Sequence, residues 1–308
     1  MNLRPLDILD LPTLARYRNQ AVLLDTARGL TRGNPLGAAG FLPYFNPRRH
    51  IYSGIAHENG ATLLGGITHT NGDSFAKLTY LAPESQLQHA GLPALIEQLA
   101  LEAGKWGAFH VLAELDENSD AFPALRRAGF SVYAWQRIWD VSHIERGQPD
   151  EAWALAQSVH LPAIQSLYYQ IIPPLLQPVE PAPKSPAGFL TSADLKCYAH
   201  LFHGRRGIVL VPLIHPDAAD VPAKLASLLN HLPDRGSRPV YLCIRSYQAW
   251  LEPALEDLGG KPAGQRQAVM VKHLVRTIKD EQAVLAAQPA GVSVQPSRVS
   301  HIEKENRQ

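Results

Sequence analysis

Cysteine is scarce in this chain, with only Cys197 and Cys243 among 308 residues. They stand far apart and form no C-x-x-C pattern, so the sequence predicts neither a disulfide framework nor a cysteine zinc site. Cys243 falls inside an apolar run, and we interpret it as a buried small side chain rather than a nucleophile. Thirteen histidines are present, but none has the H-x-x-x-H or H-E-x-x-H spacing, so we expect no metal site.

An excess of one charge and long apolar runs are also missing. The net charge is +1, from 29 basic and 28 acidic side chains, and the basic clusters at residues 48–50 and 205–206 are short. We therefore expect no nucleic-acid partner. No apolar run approaches the ~20 residues of a membrane span, and the N-terminus lacks a secretory pattern. We predict a cytoplasmic protein without a membrane partner, and the sequence leaves its oligomeric state open.

The chain does contain a long internal repeat. Residues 253–259 repeat the pattern of residues 123–129, which lie 130 positions earlier. A β-type run precedes each copy by the same distance, at residues 110–113 and 240–243. A repeat of this length indicates duplicated domains rather than a solenoid.

We place the first repeat at residues 1–145 and the second repeat at residues 146–280. Residues 281–308 are polar and unpatterned, and we predict that they form a disordered tail. Two stretches rich in glycine or proline, residues 28–50 and 173–188, are predicted to be irregular over much of their length.

Both repeats show a similar order of predicted elements. In the first repeat, two Asn-Gly dipeptides between apolar runs predict an antiparallel meander of three strands. A helix follows, because apolar residues recur at helical spacing: Leu92, Leu95, Ile96, Leu99 and Ala103. A strand at residues 109–115, a helix ending at Gly129 and a hairpin of residues 130–133 and 136–141 complete the repeat. In the second repeat, two strands replace the meander. We predict an α+β fold in which each repeat is a mostly antiparallel mixed sheet flanked by helices.

This order of elements resembles the GNAT N-acetyltransferase superfamily. Residues 81–84 (Leu-Ala-Pro-Glu), followed by residues 91–97 (Gly-Leu-Pro-Ala-Leu-Ile-Glu), are similar to the family's strand, loop and helix that bind acetyl-CoA. Residues 117–130 are similar to its next helix. In the second repeat the loop is replaced by a stretch without glycine, and its Asp217 and Asp220 would repel phosphates. The resemblance therefore implies a tandem protein whose second repeat is degenerate.

The resemblance also implies a cofactor site in the first repeat. The family's loop has the pattern (Gln or Arg)-x-x-Gly-x-(Gly or Ala), whose backbone amides bind a diphosphate at a helix N-terminus. Two registers are open here: Gln88-x-x-Gly91-x-Pro93 and Gln86-x-x-His89-x-Gly91, and each departs from the pattern at one position. Asn118 matches a family asparagine near the cofactor, but it could equally cap the next helix. The implied acetyl-CoA-binding residues are Leu81, Ala82, Gln86, Gln88, His89, Ala90, Gly91, Leu92 and Asn118.

The catalytic residues are not evident. Many family members have a tyrosine as general acid in the helix before the Gly-Phe pair, and the matching position here is Leu125. Candidate acids or bases are His69 and Tyr80 at strand ends, and Glu84 in the loop. Each also has a structural interpretation: His69 as a hairpin residue, Tyr80 as a half-buried aromatic residue and Glu84 as a loop carboxylate.

Two functions follow as hypotheses. The first is an acetyl-CoA-dependent N-acyltransferase, whose small-molecule amine or peptide substrate enters between the repeats, bordered by residues 28–50 and 173–188. An amide-rich bulge at residues 80–83, beside an open slot between the two central strands, would favour it. The second is a catalytically inactive pseudo-acetyltransferase that binds a ligand or a protein. One exposed apolar patch of tryptophans would favour it: Trp106, Trp135, Trp139, Trp153 or Trp250.

Overall fold

The computed structural model describes residues 2–36, 49–144, 153–191, 194–232 and 235–274, which belong to one compact unit. Within these residues the helices are α1 (Leu11–Tyr17), α2 (Thr26–Arg32), α3 (Leu92–Lys105), α4 (Ala121–Arg127), α5 (Leu161–Ile171), α6 (Val221–Leu228) and α7 (Glu252–Asp257). The strands are β1 (Asn2–Pro5), β2 (Val22–Leu23), β3 (Arg49–Glu58), β4 (Ala61–Thr70), β5 (Phe75–Ala82), β6 (His110–Asp116), β7 (Ser131–Asp140), β8 (Trp153–Leu155), β9 (Gly188–Thr191), β10 (Cys197–His203), β11 (Ile208–Ile214), β12 (Val240–Arg245), β13 (Lys261–Pro262) and β14 (Gln267–His273).

One mixed sheet contains all of these strands. Its order is β1-β3-β4-β5-β6-β14-β7-β12-β11-β10-β9-β8, with β2 beside β5 and β13 beside β7. The β5–β6 and β11–β12 pairs are parallel, and the neighbouring pairs are antiparallel. The predicted α+β fold with a mostly antiparallel mixed sheet is therefore confirmed.

The repeats share this sheet by exchanging their last strands. β14, from the end of the second repeat, lies between β6 and β7 of the first repeat and pairs with both. β7 in turn pairs with β12 of the second repeat. The predicted boundary near residue 145 and the predicted tail at residues 281–308 lie outside the described residues, so the domain limits stay predictions.

This exchange explains why the predicted hairpin of residues 130–141 is wrong. Ser131–Asp140 is one strand, because β14 pairs with one edge and β12 with the other. The pairing with β14 shifts register between Val269 and Met270, which leaves Tyr133 as an extra residue. This β-bulge lies next to residues 134–135, where we expected a turn.

Two further corrections concern the predicted irregular stretches and the reduced meander. Thr26–Arg32 forms α2, so the start of the first stretch is helical, and residues 37–48 of that stretch lie outside the described residues. Gly188–Thr191 forms β9, a buried strand that pairs with β10. The second repeat therefore has three strands in its meander, where we expected two.

The long helix of the first repeat was predicted correctly. α3 buries Leu92, Leu95, Ile96, Leu99 and Ala103, which are the residues on the predicted apolar face. Together with α4 and β3 to β6 they form the largest core cluster. Because α3 begins immediately after the loop that follows β5, this packing fixes the position of that loop.

Candidate functional site

β5 and β6 separate in the middle of the first repeat. Their parallel pairing ends at Lys77 and Leu112. On its other edge β5 shifts register against β4, so that Thr79 has no partner residue in β4. This β-bulge lies one residue before the expected bulge at residues 80–83, and beside it the two central strands diverge.

The gap between the diverging strands is filled by residues 22–24, which we call the bridging segment. Its Val22 and Leu23 form β2 and pair with Leu81 and Tyr80 of β5. The backbone N–H of Leu24 donates to the carbonyl oxygen of Thr79 at 3.1 Å, and that of Glu114 donates to the carbonyl oxygen of Leu24 at 2.9 Å. The side chain of Leu24 is buried in the largest core cluster. The expected open slot is therefore occupied by the chain itself.

The loop between β5 and α3 makes most of its hydrogen bonds internally. The amides of Gln86, Leu87, His89 and Leu92 donate to carbonyl oxygens of residues 83–89, and the amide of Gly91 donates to Nδ1 of the His89 ring at 3.1 Å. A Cβ atom at Gly91 would collide with the carboxylate of Glu58. Because amides already bonded and a nearby carboxylate both disfavour a diphosphate, this loop does not fit acetyl-CoA in the described arrangement.

The remaining predicted cofactor residues are dispersed around this loop. Leu81 and Ala82 are buried on β5, while Ala90 is exposed. The Gln88 amide donates to the carboxylate of Asp120 at 3.2 Å. Asn118 is exposed and does not cap α4, since the hydroxyl of Ser119 accepts from the amide of Ala121.

The three candidate acids or bases do not converge. Tyr80 is buried in a small apolar cluster with Leu14 and Ile55. His69 is buried, and its Nε2 lies 2.9 Å from the carbonyl oxygen of Asp73, while its ring stacks near His50 and Trp106. Glu84 is exposed at the start of the loop. None of the three lines the large cavity on the other side of the bridging segment.

That cavity has a volume of about 760 Å³ and is bounded by α2, residues 180–185 and strands of both repeats. A cavity of this size suits a small molecule. Arg28 and Arg49 come from the first predicted irregular stretch, and residues 181–185 come from the second. Parts of both predicted irregular stretches therefore border this cavity, and the entry of a substrate there stays a prediction.

An arginine at the end of β12 forms ion pairs with two carboxylates that line this cavity. Arg245 lies 3.0 Å from Glu114 and 3.1 Å from Glu180. Burial alone would lower the pKa of Arg245, but the two carboxylates outweigh burial and raise it well above its ordinary value. Burial would likewise raise the pKa of Glu114, but Arg245, Lys77 and the amide of Thr26 lower it to about 2. Arg245 and Glu114 are therefore both charged at neutral pH.

A second ion pair stands beside the gap. Nζ of Lys77 lies 3.6 Å from Oδ1 of Asp25, and the same carboxylate caps α2 by accepting from the amide of Arg28. Burial lowers the pKa of Lys77, but Asp25 and Glu114 outweigh it, so the pKa is raised. His200 also lines the cavity, and burial and Lys77 lower its pKa to about 4, which makes it neutral at pH 7.

Sequence reasoning missed Lys77, Glu114, Glu180 and Arg245. A signal was available for three of them, because Lys77 and Glu114 are charged residues inside apolar strands and Arg245 ends another apolar strand.

The interpretation of Cys243 was confirmed: the thiol is buried, burial raises its pKa to about 12, and it donates to Gln136. Among the residues that the structure describes, no group of three or more potential ligands could hold a metal ion.

The corresponding gap in the second repeat is also closed. The parallel pairing of β11 and β12 ends at Leu210 and Leu242. Beyond it, the buried Gln248 amide donates to the carbonyl oxygen of Ile214 at 3.1 Å. The loop before α6 keeps Asp220 in a left-handed conformation with φ of 50°. The degeneracy of the second repeat stays a prediction.

No described helix has both the length and the apolar character needed to span a bilayer. The predicted cytoplasmic location stays a prediction.

The five tryptophans form no exposed patch: Trp139 and Trp153 are buried, and Trp106 and Trp135 pack against the largest core cluster. Trp250 is 41% exposed.

The fold is shared with solved acetyltransferase structures. A GCN5-related N-acetyltransferase from Sphaerobacter thermophilus superposes with a TM-score of 0.52 at 12% identity, covering 90% of this chain and 96% of that one. A tandem GNAT protein from the clavulanic acid biosynthesis pathway superposes with a TM-score of 0.51 at 12% identity, covering 90% of this chain and 99% of that one. An acetyltransferase from Pyrococcus horikoshii gives 0.52 at 12% identity, covering 89% of each. No protein-family model and no curated protein matches the sequence. The chain therefore has the GNAT fold in tandem, as the resemblance implied.

Proposed function

We propose that this protein transfers an acyl group to an amine that binds in the central cavity. The fold supports acyl transfer in general, and the position of the cavity carries the proposal. Lys77 and Glu114 line the cavity and also flank the point at which β5 and β6 separate. An amine in the cavity would therefore stand next to the place where the resemblance puts the thioester.

The acyl donor implied by the resemblance is acetyl-CoA, and the described residues do not fit it. The bridging segment occupies the gap between the strands, and the carboxylate of Glu58 faces the loop at Gly91. Acetyl-CoA binding would require the bridging segment to leave the gap. The described residues therefore support a role only towards the acceptor.

Asp25 is the residue that we assign to hold the acceptor. It follows the bridging segment directly, and its carboxylate lines the cavity. Its ion pair with Lys77, at 3.6 Å, is longer than a strong charged hydrogen bond. A neutral amine could therefore donate a hydrogen bond to this carboxylate, which would orient its nitrogen towards the gap.

The direct test is an assay of thiol release from acetyl-CoA by the full chain, with a panel of small amines and peptides. We expect release that depends on the amine and that falls at least about tenfold in Asp25→Asn. Asparagine is also a good N-cap, so this variant keeps the start of α2 while it removes the charge. Arg127→Gln, an exposed change on α4, is the control and should retain full activity. The absence of thiol release with every amine would contradict the proposal.

A ligand-binding protein without transfer activity is the second candidate. The filled gap favours this candidate, because the bridging segment occupies the position where the resemblance places acetyl-CoA. The absence of a tryptophan patch among the described residues does not favour a protein-binding form of this candidate. Calorimetry separates the two functions: the second predicts no heat with millimolar acetyl-CoA, while a cavity ligand still binds.

A further inference from the structure

The cavity carries more positive than negative charge. Six cationic side chains and four carboxylates line it. The cations are Arg28, Arg32, Arg49, Lys77, Lys184 and Arg245, and the carboxylates are Asp25, Asp73, Glu114 and Glu180. A binding site of this kind attracts anions, and its field is strengthened by the protein walls around it.

Each of these carboxylates lies within 4 Å of one of the cations. Asp25 pairs with Lys77, Asp73 with Lys184, and both Glu114 and Glu180 with Arg245. Arg32 and Arg49 make no ion pair and no side-chain hydrogen bond with any other residue that the structure describes. Residues 37–48, which lie next to Arg49 in the chain, contain no aspartate or glutamate.

Arg49 and Arg32 line the same cavity and differ in their exposure to solvent. Arg49 is half-buried on β3, and Arg32 stands at the end of α2. Burial and the like charge of Arg32 lower the pKa of Arg49, and the carboxylates of Asp25 and Asp73 offset this only in part, so that a net cost of charging Arg49 remains. An anion between the guanidinium groups would remove this cost, and arginine suits carboxylate and phosphate oxygens geometrically.

We propose that the cavity binds a small molecule through its carboxylate or phosphate group, held by Arg32 and Arg49. The rest of the ligand would lie against the apolar part of the wall, which includes Phe75 and Phe202. The ring of Phe202 is supported by His200, with their centroids 4.6 Å apart. The two charged ends of such a ligand would be separated, with its anion at the arginines and any amine at Asp25.

The test measures binding of inorganic phosphate and of benzoate to the full chain at low ionic strength, by calorimetry and by the midpoint of thermal unfolding. We expect at least one anion to bind within about 10 mM and to raise the unfolding midpoint. Arg49→Gln should weaken binding about tenfold or more. Arg127→Gln, which removes the same charge outside the cavity, should change it less than about twofold.

A second readout separates binding from a structural role. Without any anion, Arg49→Gln should unfold at the same temperature as the unsubstituted protein or at a higher one, because it removes a half-buried charge that has no ion pair with a described residue. Arg32→Gln, at an exposed position, should weaken anion binding without loss of stability. Binding of phosphate alone would identify a phosphoryl ligand, and binding of benzoate alone a carboxylate ligand.

Three results would overturn the proposal: no binding of either anion by the unsubstituted protein, equal weakening in Arg49→Gln and Arg127→Gln, or a less stable Arg49→Gln protein in the absence of anions. The experiment contains no thioester. Its outcome is therefore independent of whether the protein transfers acyl groups.

Discussion

Nη2 of Arg245, on β12, lies 3.0 Å from Oε1 of Glu114, on β6, although β14 and β7 run between these strands in the sheet. Nε of the same guanidinium lies 3.1 Å from Glu180, whose carboxylate also accepts from the hydroxyls of Tyr133 and Tyr247 at 2.9 and 2.8 Å. One arginine of the second repeat thus holds carboxylates from both repeats at the wall of the cavity.

Replacing this arginine should strongly destabilise the fold. Arg245→Met leaves the buried carboxylate of Glu114 and the half-buried carboxylate of Glu180 without their arginine, and we expect the free energy of unfolding to fall by about 3–5 kcal/mol. Urea denaturation measures the change. The matched control is Arg137→Met, which breaks a more exposed pair with Glu252 at 3.1 Å and should change stability by about 0–1 kcal/mol. Equal effects of the two variants would contradict this role of Arg245.

The same network predicts a loss of stability in acid. The pKa of Glu114 lies at about 2 in the folded protein, below its ordinary value of 4.5. A lowered carboxyl pKa stabilises the fold above the ordinary value, and this contribution disappears as the pH falls from about 4.5 towards 2. Unfolding free energies measured between pH 6 and pH 2.5 should therefore fall less steeply in Glu114→Gln than in the unsubstituted protein. Parallel pH profiles would show that Glu114 is not responsible.

Weakening the bridging segment should favour acetyl-CoA. Leu24 anchors the segment by its buried side chain, and Leu24→Ala should destabilise this anchor by about 2–5 kcal/mol. If the segment and the donor compete for one gap, as the proposed function requires, the affinity for acetyl-CoA should then rise at least about fivefold. Leu251→Ala removes an equally buried leucine from the other core and should leave the affinity unchanged. The same affinity for acetyl-CoA in both variants, measured by calorimetry, would contradict competition between the bridging segment and the donor.

Gly188 is a position where the fold requires glycine. Its φ is +147°, and a Cβ atom there would collide with the carbonyl oxygen of Ala199 on the paired strand β10. Gly188→Ala should therefore lower the free energy of unfolding by at least about 2 kcal/mol, since it adds backbone strain to a clash with backbone. Gly264→Ala, with φ of +90° and open space around the site, introduces only backbone strain. It should lower the free energy of unfolding by about 1 kcal/mol. Urea denaturation of both variants gives the comparison.

Much of the fold could be predicted from local sequence patterns. The apolar spacing of α3 and the Asn-Gly turns of the first meander are local signals, and both predictions were confirmed. The continuous β7 was missed because its two partner strands come from the other repeat, more than a hundred residues away. β2 was missed because a strand of two residues leaves no periodic pattern.

The candidate site was harder to predict for the same reason. The family's loop is present as a sequence, but its function depends on where other segments lie. Glu58 and the bridging segment reach the loop and the gap only in the folded chain. The charged residues Lys77, Glu114 and Arg245 were visible as exceptions inside apolar strands. Their meeting at one cavity depends on the order of strands in the sheet, which local patterns do not contain.

Hydrogen exchange at the bridging segment tests the proposed function most directly. Without ligand, the amides of Leu24 and Glu114 should exchange slowly, because each donates a buried hydrogen bond across the gap. If acetyl-CoA takes the place of this segment, both amides should exchange faster in millimolar acetyl-CoA, while the buried amide of Val271 on β14 stays protected. Unchanged exchange at Leu24 and Glu114 would contradict acyl transfer at this gap.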